Sequence, residues 1–261
     1  MKMQKLYILI TIVITLYLLN GCSSQPVIEN TLATVDPAVI SIEKAKASEL
    51  FAQREDPDKL RQAISLLAKL RNPNSRDYEV EWTFAKYNYF LGKHTTDNKE
   101  AESVFEKGIE AGKIASRIQP QKPDGYFWYG ANLGELSKLS PITVGLRSVD
   151  DVRDAMNKVI EIQPTYQGAS AYDALGQVEL ATRVKGGSAE KAVEYLEKAI
   201  SLEKNNTNLR LHLAEAYLAI NMDGEARKQL QILLQMKADP EYVPEYKECI
   251  EKGKKLLADK F

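Results

Sequence analysis

From Ile42 to the end of the chain, apolar residues recur at helical spacing, broken by polar turns. Leu60, Ala63, Ile64, Leu67 and Leu70 follow one another at the intervals that gather side chains on one face of an α-helix. Val152, Met156, Val159 and Ile162 repeat the pattern, as do Ala192, Leu196 and Ala199. Punctuation between the runs is explicit. Asp56-Pro57 supplies an N-cap and a proline at the first helical position. Asn72-Pro73-Asn74 ends the helix that follows, and Pro120 and Pro123 stop a long one over Asn98–Ile118. Ser148 with Asp151 has capping-box spacing, and Ser188 and Asp223 stand where caps are needed. Further helices are predicted over Ile42–Arg54, Asp77–Leu91 and Gly125–Leu139. Ser140–Arg147 and Thr165–Ser170 read as loops longer than a hairpin needs, and Pro240–Lys260 as a Lys- and Glu-rich closing helix.

Tyr172–Leu233 holds two helical hairpins in register. Ala192, Leu196 and Ala199 return as Ala226, Leu230 and Leu233, each 34 residues on, and Leu175-Gly176 returns as Leu213-Ala214. A period of about 34 is that of the tetratricopeptide (TPR) repeat. Its small residues let the two helices of a hairpin cross closely, and Leu196 and Leu230 fill the groove between units. Trp82, Ala85 and Tyr89 fit the first helix of such a hairpin, and Leu133-Gly134 its small-residue position. Gly108 and Gly112 lie on one face of their helix, where each costs about 1 kcal/mol against alanine unless close helix contact compensates. The predicted fold is all-α: an α-solenoid of antiparallel helical hairpins with a C-terminal capping helix.

The N-terminus has another character. Lys2 and Lys5 precede the apolar run Leu6–Leu19, which is shorter than the roughly 20 residues of a membrane span. The run ends at Leu19-Asn20-Gly21-Cys22, a lipobox-like sequence. Residues 1–21 are therefore expected to be a lipoprotein signal peptide, 22–40 a flexible tether and 41–261 the helical domain, with Cys22 lipidated. An uncleaved anchor or an ordinary secretory peptide is the alternative. Ser23-Ser24 lack the aspartate that retains lipoproteins at the inner membrane, so the expected address is the periplasmic face of the outer membrane. On this reading Cys249 is left alone, as a small packed apolar residue.

Charge and chemistry narrow the function. Lys and Arg nearly balance Asp and Glu, at net −1, so no basic excess exists to displace the counterions of a nucleic acid. His94 and His212 lack cysteine or carboxylate partners at ligand spacing, no phosphate loop or nucleophile elbow occurs, and neither metal, cofactor nor catalysis is expected. Of the 13 tyrosines, several are grouped at 78–89, 126–129 and 166–172. They either fill grooves between helices or line a cavity for a small apolar ligand. On the second reading Trp128, Asn132, Arg147, Tyr166 and Tyr172 are the candidate ligand-binding residues. Trp128 and Asn132, four apart, form the expected cavity wall, and Tyr126 with Tyr129 the core side.

The lipobox, the degenerate repeats, Gly125-Tyr126-Phe127-Trp128-Tyr129-Gly130-Ala131-Asn132-Leu133-Gly134 and Gly186-Gly187-Ser188-Ala189-Glu190-Lys191-Ala192 together resemble the T-component lipoproteins of TRAP transporters. That resemblance implies an all-α, periplasmic and oligomeric protein that partners the solute-binding P-component and carries a hydrophobic ligand. Two functions are thus expected: a ligand-handling accessory of such a transport system, or a TPR adaptor holding protein partners at the outer membrane.

Overall fold

The computed structural model describes residues 37–145 and 147–261. Eleven α-helices occur among them: α1 (Pro37–Phe51), α2 (Pro57–Leu70), α3 (Tyr78–His94), α4 (Asn98–Ile118), α5 (Pro123–Leu139), α6 (Val149–Ile162), α7 (Tyr166–Ala181), α8 (Ala189–Leu202), α9 (Thr207–Ala219), α10 (Asp223–Gln235) and α11 (Val243–Lys260). The first ten pair as five antiparallel hairpins, and α11 packs on α9 and α10 as the capping helix. Among the described residues the first helix begins at Pro37.

The apolar faces read from spacing are the buried ones. α2 buries Leu60, Ala63, Leu67 and Leu70, and α8 buries Ala192, Leu196 and Ala199. At the crossing of α7 with α8, a Cβ on Gly176 would lie 3.0 Å from Leu196 Cγ and 3.3 Å from the Ala192 carbonyl, so the small residues sit at the contact. In α5 the position differs from expectation. Gly134 has open space around it, and Gly130 makes the close approach, where a Cβ would come within 2.7 Å of Met156 in α6.

Caps follow the same division. Asp56, Asp77, Asp97 and Ser188 accept hydrogen bonds from the first-turn amides of their helices. Ser148 instead donates to the Val144 carbonyl at 2.9 Å and leaves α6 without a side-chain cap. Asp223 is the first residue of α10 rather than its cap. Ser140–Arg147 contains a single π turn, Pro141–Gly145.

Thr165–Ser170 is a left-handed turn that opens α7: Gln167, Gly168 and Ala169 have φ of 50°, 63° and 60°. Two of the three carry a Cβ, which costs about 1–2 kcal/mol each in this region. Asn206 holds the turn by donating to the Gly168 carbonyl at 2.9 Å, while its own side-chain oxygen caps α9.

Two apolar cores meet at α7. The first runs from Ala47 to Leu175, the second from Ala169 to Cys249. Cys249 is buried, and burial pushes its thiol up to about 11. Between α2 and α3, Glu81 is 0% exposed and accepts hydrogen bonds from Arg71 at 2.9 Å and Arg76 at 2.7 Å. This buried carboxylate is neutralised by two guanidinium groups, and it pins the loop between the first two hairpins.

Candidate functional site

In the stack of hairpins, α3 packs on α5, α5 on α7, α7 on α9 and α9 on α11. The first helices of the second to fifth hairpins, with α11, therefore line one common inner face. Tyr89 of α3 feels the carboxylates of Glu135 in α5, Asp173 in α7, and Glu245 and Glu248 in α11. Burial first, then these charges, raise its phenol well above the ordinary value. His212 of α9 meets Asp173 at 2.6 Å, with Glu215 and Lys138 close by. Lys93 and His94 of α3 act on Glu248.

Aromatic rings run along the α1–α7 end of this face. Phe51 stacks on Tyr87 with centroids 4.3 Å apart, and meets Phe90 edge-on at 5.2 Å. Phe90 continues to Trp128 at 6.1 Å, Trp128 to Phe127 at 4.9 Å, and Phe127 to Tyr166 at 5.3 Å. The tyrosine hydroxyls at the rim converge on Asp124, which accepts from Tyr78 at 2.5 Å and Tyr166 at 2.8 Å.

Beside this row lies a slot of about 510 Å³, walled by Phe51, Trp82, Lys86 and Tyr87 and roofed by Pro240 and Glu241. Its charged groups are unequal. Lys44 is ion-paired with Glu79. Arg54 makes two hydrogen bonds to Glu245, both at 2.7 Å, and a third to the Glu241 carbonyl. Lys86 forms no ion pair among the described residues. Its ammonium lies 4.9 Å from the Phe51 ring centre and 5.8 Å from that of Trp128. Burial lowers its pKa. A cation held this way can receive an anion, and the slot can receive the apolar body attached to it. A second cavity, about 310 Å³, lies between Glu55, His94, Pro244 and Glu248.

The structure separates the residues singled out from sequence. Cys22 lies outside the described residues. Trp128 is 3% exposed and Asn132 is 0% exposed, whereas Tyr126 and Tyr129 are half-buried, so the two sides of α5 are exchanged relative to expectation. The physical reason is α4. Gly108 and Gly112 bring its backbone against α5, and Asn132 fills the space over Gly108. The Asn132 amide nitrogen donates to the carbonyls of Trp128 at 2.6 Å and Ala85 at 3.1 Å, tying α5 to α3. Tyr166 joins Trp128 through Phe127 in the first core, whereas Tyr172 is half-buried beside Tyr195 in the second. Arg147 is exposed in the turn before α6.

Lys86 and Phe51 were not singled out. The signal available was Lys86 one turn after Trp82 on the same helix face. Among the described residues no group of three or more His, Cys, Asp and Glu side chains is placed to hold a metal, and no helix is long and apolar enough to cross a membrane.

Comparison with known proteins divides the chain at α7, as the two cores do. A family model described as Regulator of microtubule dynamics protein 1-3 matches residues 44–178, and a Tetratricopeptide repeat model matches residues 184–243. Neither describes an enzyme. No curated protein sequence matches. Among solved structures, TTC0263, a thermophilic TPR protein of Thermus thermophilus, is similar at 19% identity and a TM-score of 0.58, over 81% of this chain and 98% of that one. MamA of Desulfovibrio magneticus is similar at 14% identity and a TM-score of 0.53, over 78% and 97%. PilF of Pseudomonas aeruginosa is similar at 16% identity and a TM-score of 0.52, over 85% and 93%. At these identities the likeness is one of fold: a TPR-type solenoid.

Proposed function

The chain belongs to the family described as Regulator of microtubule dynamics protein 1-3, and on that premise we propose that it is a scaffold that binds a protein partner on the inner face of its helical array. The observation that carries this reading is the convergence of ionisable and aromatic side chains from α3, α5, α7, α9 and α11 on that one face. An array of hairpins needs apolar contacts to stack, and it needs none of these groups. The family's printed description names an action on a protein assembly. The proposal keeps a protein as the thing bound, without the microtubule.

The scaffold is tethered by lipid on Cys22 to the periplasmic face of the outer membrane, where its partner is the P-component of a TRAP-type transport system. The second reading, an adaptor for envelope complexes, differs only in the partner. Replacement Cys22→Ala should release the protein from the membrane and abolish lipid labelling, and retention with unchanged labelling would remove the anchor. A photo-cross-linking residue at Lys138, on the inner face, should capture a protein in the native cell. One at Lys107, exposed on α4, should not. Equal capture from both positions, or from neither, removes the inner face as the binding surface. Mass spectrometry of the captured protein decides between P-component and envelope partner.

A further inference from the structure

We infer that the slot between α1, α3 and the Pro240–Glu241 turn is a binding site for a small apolar anion: one carboxylate or sulfonate on a compact aromatic or aliphatic body, with Lys86 as its counter-ion. The inference goes beyond the scaffold reading, because this ligand is a free small molecule. Four observations support it. The volume, about 510 Å³, lies within the roughly 300–1,000 Å³ of small-molecule sites. The walls Phe51, Trp82 and Tyr87 offer flat apolar surface to a ligand body. The other cations of the slot are spent, Lys44 on Glu79 and Arg54 on Glu245. Of the slot's cations, Lys86 alone has no ion pair among the described residues; it is half-buried, and the two rings near it replace only part of the hydration its ammonium has lost.

Glu241 is the carboxylate with the largest influence on Lys86, yet it makes no ion pair with it. An anion between Lys86 and Trp82 would supply what Glu241 does not. The choice of a small molecule over an extended chain follows from the roof. Arg54, held to Glu245 and to the Glu241 carbonyl, fixes the 240–245 segment across the slot. That arrangement closes one side of the slot and favours a compact occupant over a chain running past the turn.

The test uses 3-(4-bromophenyl)propanoate and its neutral amide on the whole chain. Bromine quenches tryptophan emission on contact, and Trp82 lines the slot. The acid should quench saturably, and the amide should bind about tenfold or more weakly, the loss of one charge-assisted hydrogen bond. Lys86→Met should weaken acid binding by about the same factor and leave the amide unchanged, and Lys86→Arg should retain most of it. If Lys86→Met does not fold, the comparison of acid with amide on the unaltered chain decides alone. Equal binding of acid and amide overturns the inference, as does absence of saturable quenching at millimolar acid. Binding of a peptide acid with none of the free acid also overturns it, and assigns the slot to the terminus of a protein partner.

Discussion

Arg54 and Glu245 lie 191 residues apart in sequence and meet in two parallel hydrogen bonds of 2.7 Å. The Arg54 guanidinium is 5.1 Å from the ring centre of Phe51 and 5.6 Å from that of Phe90, and the residue is 5% exposed. The pair links the loop after α1 to the first turn of α11, so the two ends of the helical array touch. A solenoid held only by neighbour contacts has independent ends. Here one bidentate ion pair, its geometry fixed by aromatic packing, joins them. Lys247–Glu55, the other ion pair across the same seam, is exposed on both sides.

Arg54→Ala should open this closure. Hydrogen bonds to charged groups are worth about 1.5–3 kcal/mol each in folded proteins, and Glu245 regains some water once released, so the expected loss is about 1–3 kcal/mol. Lys247→Ala should cost about 0–1 kcal/mol, since exposed pairs are screened. Denaturant midpoints measure both. Solution scattering should show a larger radius of gyration for Arg54→Ala and no change for Lys247→Ala.

Two glycines should respond with opposite sign to the same substitution. A Cβ on Gly112 would fall 2.6 Å from the Tyr129 backbone nitrogen, which cannot swing aside. Overpacking of about 1–3 kcal/mol then outweighs the gain of about 1 kcal/mol in helix propensity, and Gly112→Ala destabilises. Around Gly134 nothing lies within 4 Å, so Gly134→Ala should stabilise by up to about 1 kcal/mol. Midpoint shifts in the same direction for both would contradict the packing of α4 on α5.

Ala192→Leu tests the hairpin crossing. Ala192 is fully buried, and its carbonyl stands 3.3 Å from where a Gly176 Cβ would be. Added volume must force α7 and α8 apart, at about 1–3 kcal/mol. An unchanged midpoint would place the residue off the contact.

The hairpins were legible because close helix crossing demands small residues at fixed spacing, and Gly176, Ala192, Leu196 and their counterparts carry that demand in order. The ring closure was not, because a pair of opposite charges 191 residues apart has no period. Nor was the turn at 167–169, where only Gly168 has a residue type suited to positive φ. For the site, spacing placed Trp128 with Asn132 on one face of α5 and Tyr126 with Tyr129 on another. Which of the two is buried depends on where α4 approaches, and that is a property of the packed pair. Trp82 was visible as a repeat aromatic. That Lys86 forms no ion pair among the described residues follows from what the other charges have already bonded, and no local pattern encodes it.

The His212–Asp173 contact makes a prediction about pH. His212 sits on α9 facing α7, its Nδ1 2.6 Å from Asp173 Oδ1. Burial alone would lower its pKa. The charge of Asp173 and its hydrogen bond, with Glu215 adding to them, outweigh both burial and the Lys138 cation, and the pKa is raised above 6.5. A histidine whose folded pKa exceeds its unfolded value stabilises the fold by binding its proton more tightly there. That contribution is fully present below about 6.5, the unfolded value, and is lost as pH rises through the folded pKa. Wild-type stability should therefore fall on going from slightly acid to mildly alkaline solution, relative to His212→Gln, and the two curves should run parallel once His212 is deprotonated in both states. The ring-proton chemical shift of His212, followed by NMR, should titrate above 6.5, and in Asp173→Asn the midpoint should drop below it, since burial then acts with only Glu215 opposing it. A wild-type midpoint below 6.5 would mean that desolvation wins at this site and that Asp173 bonds a neutral imidazole.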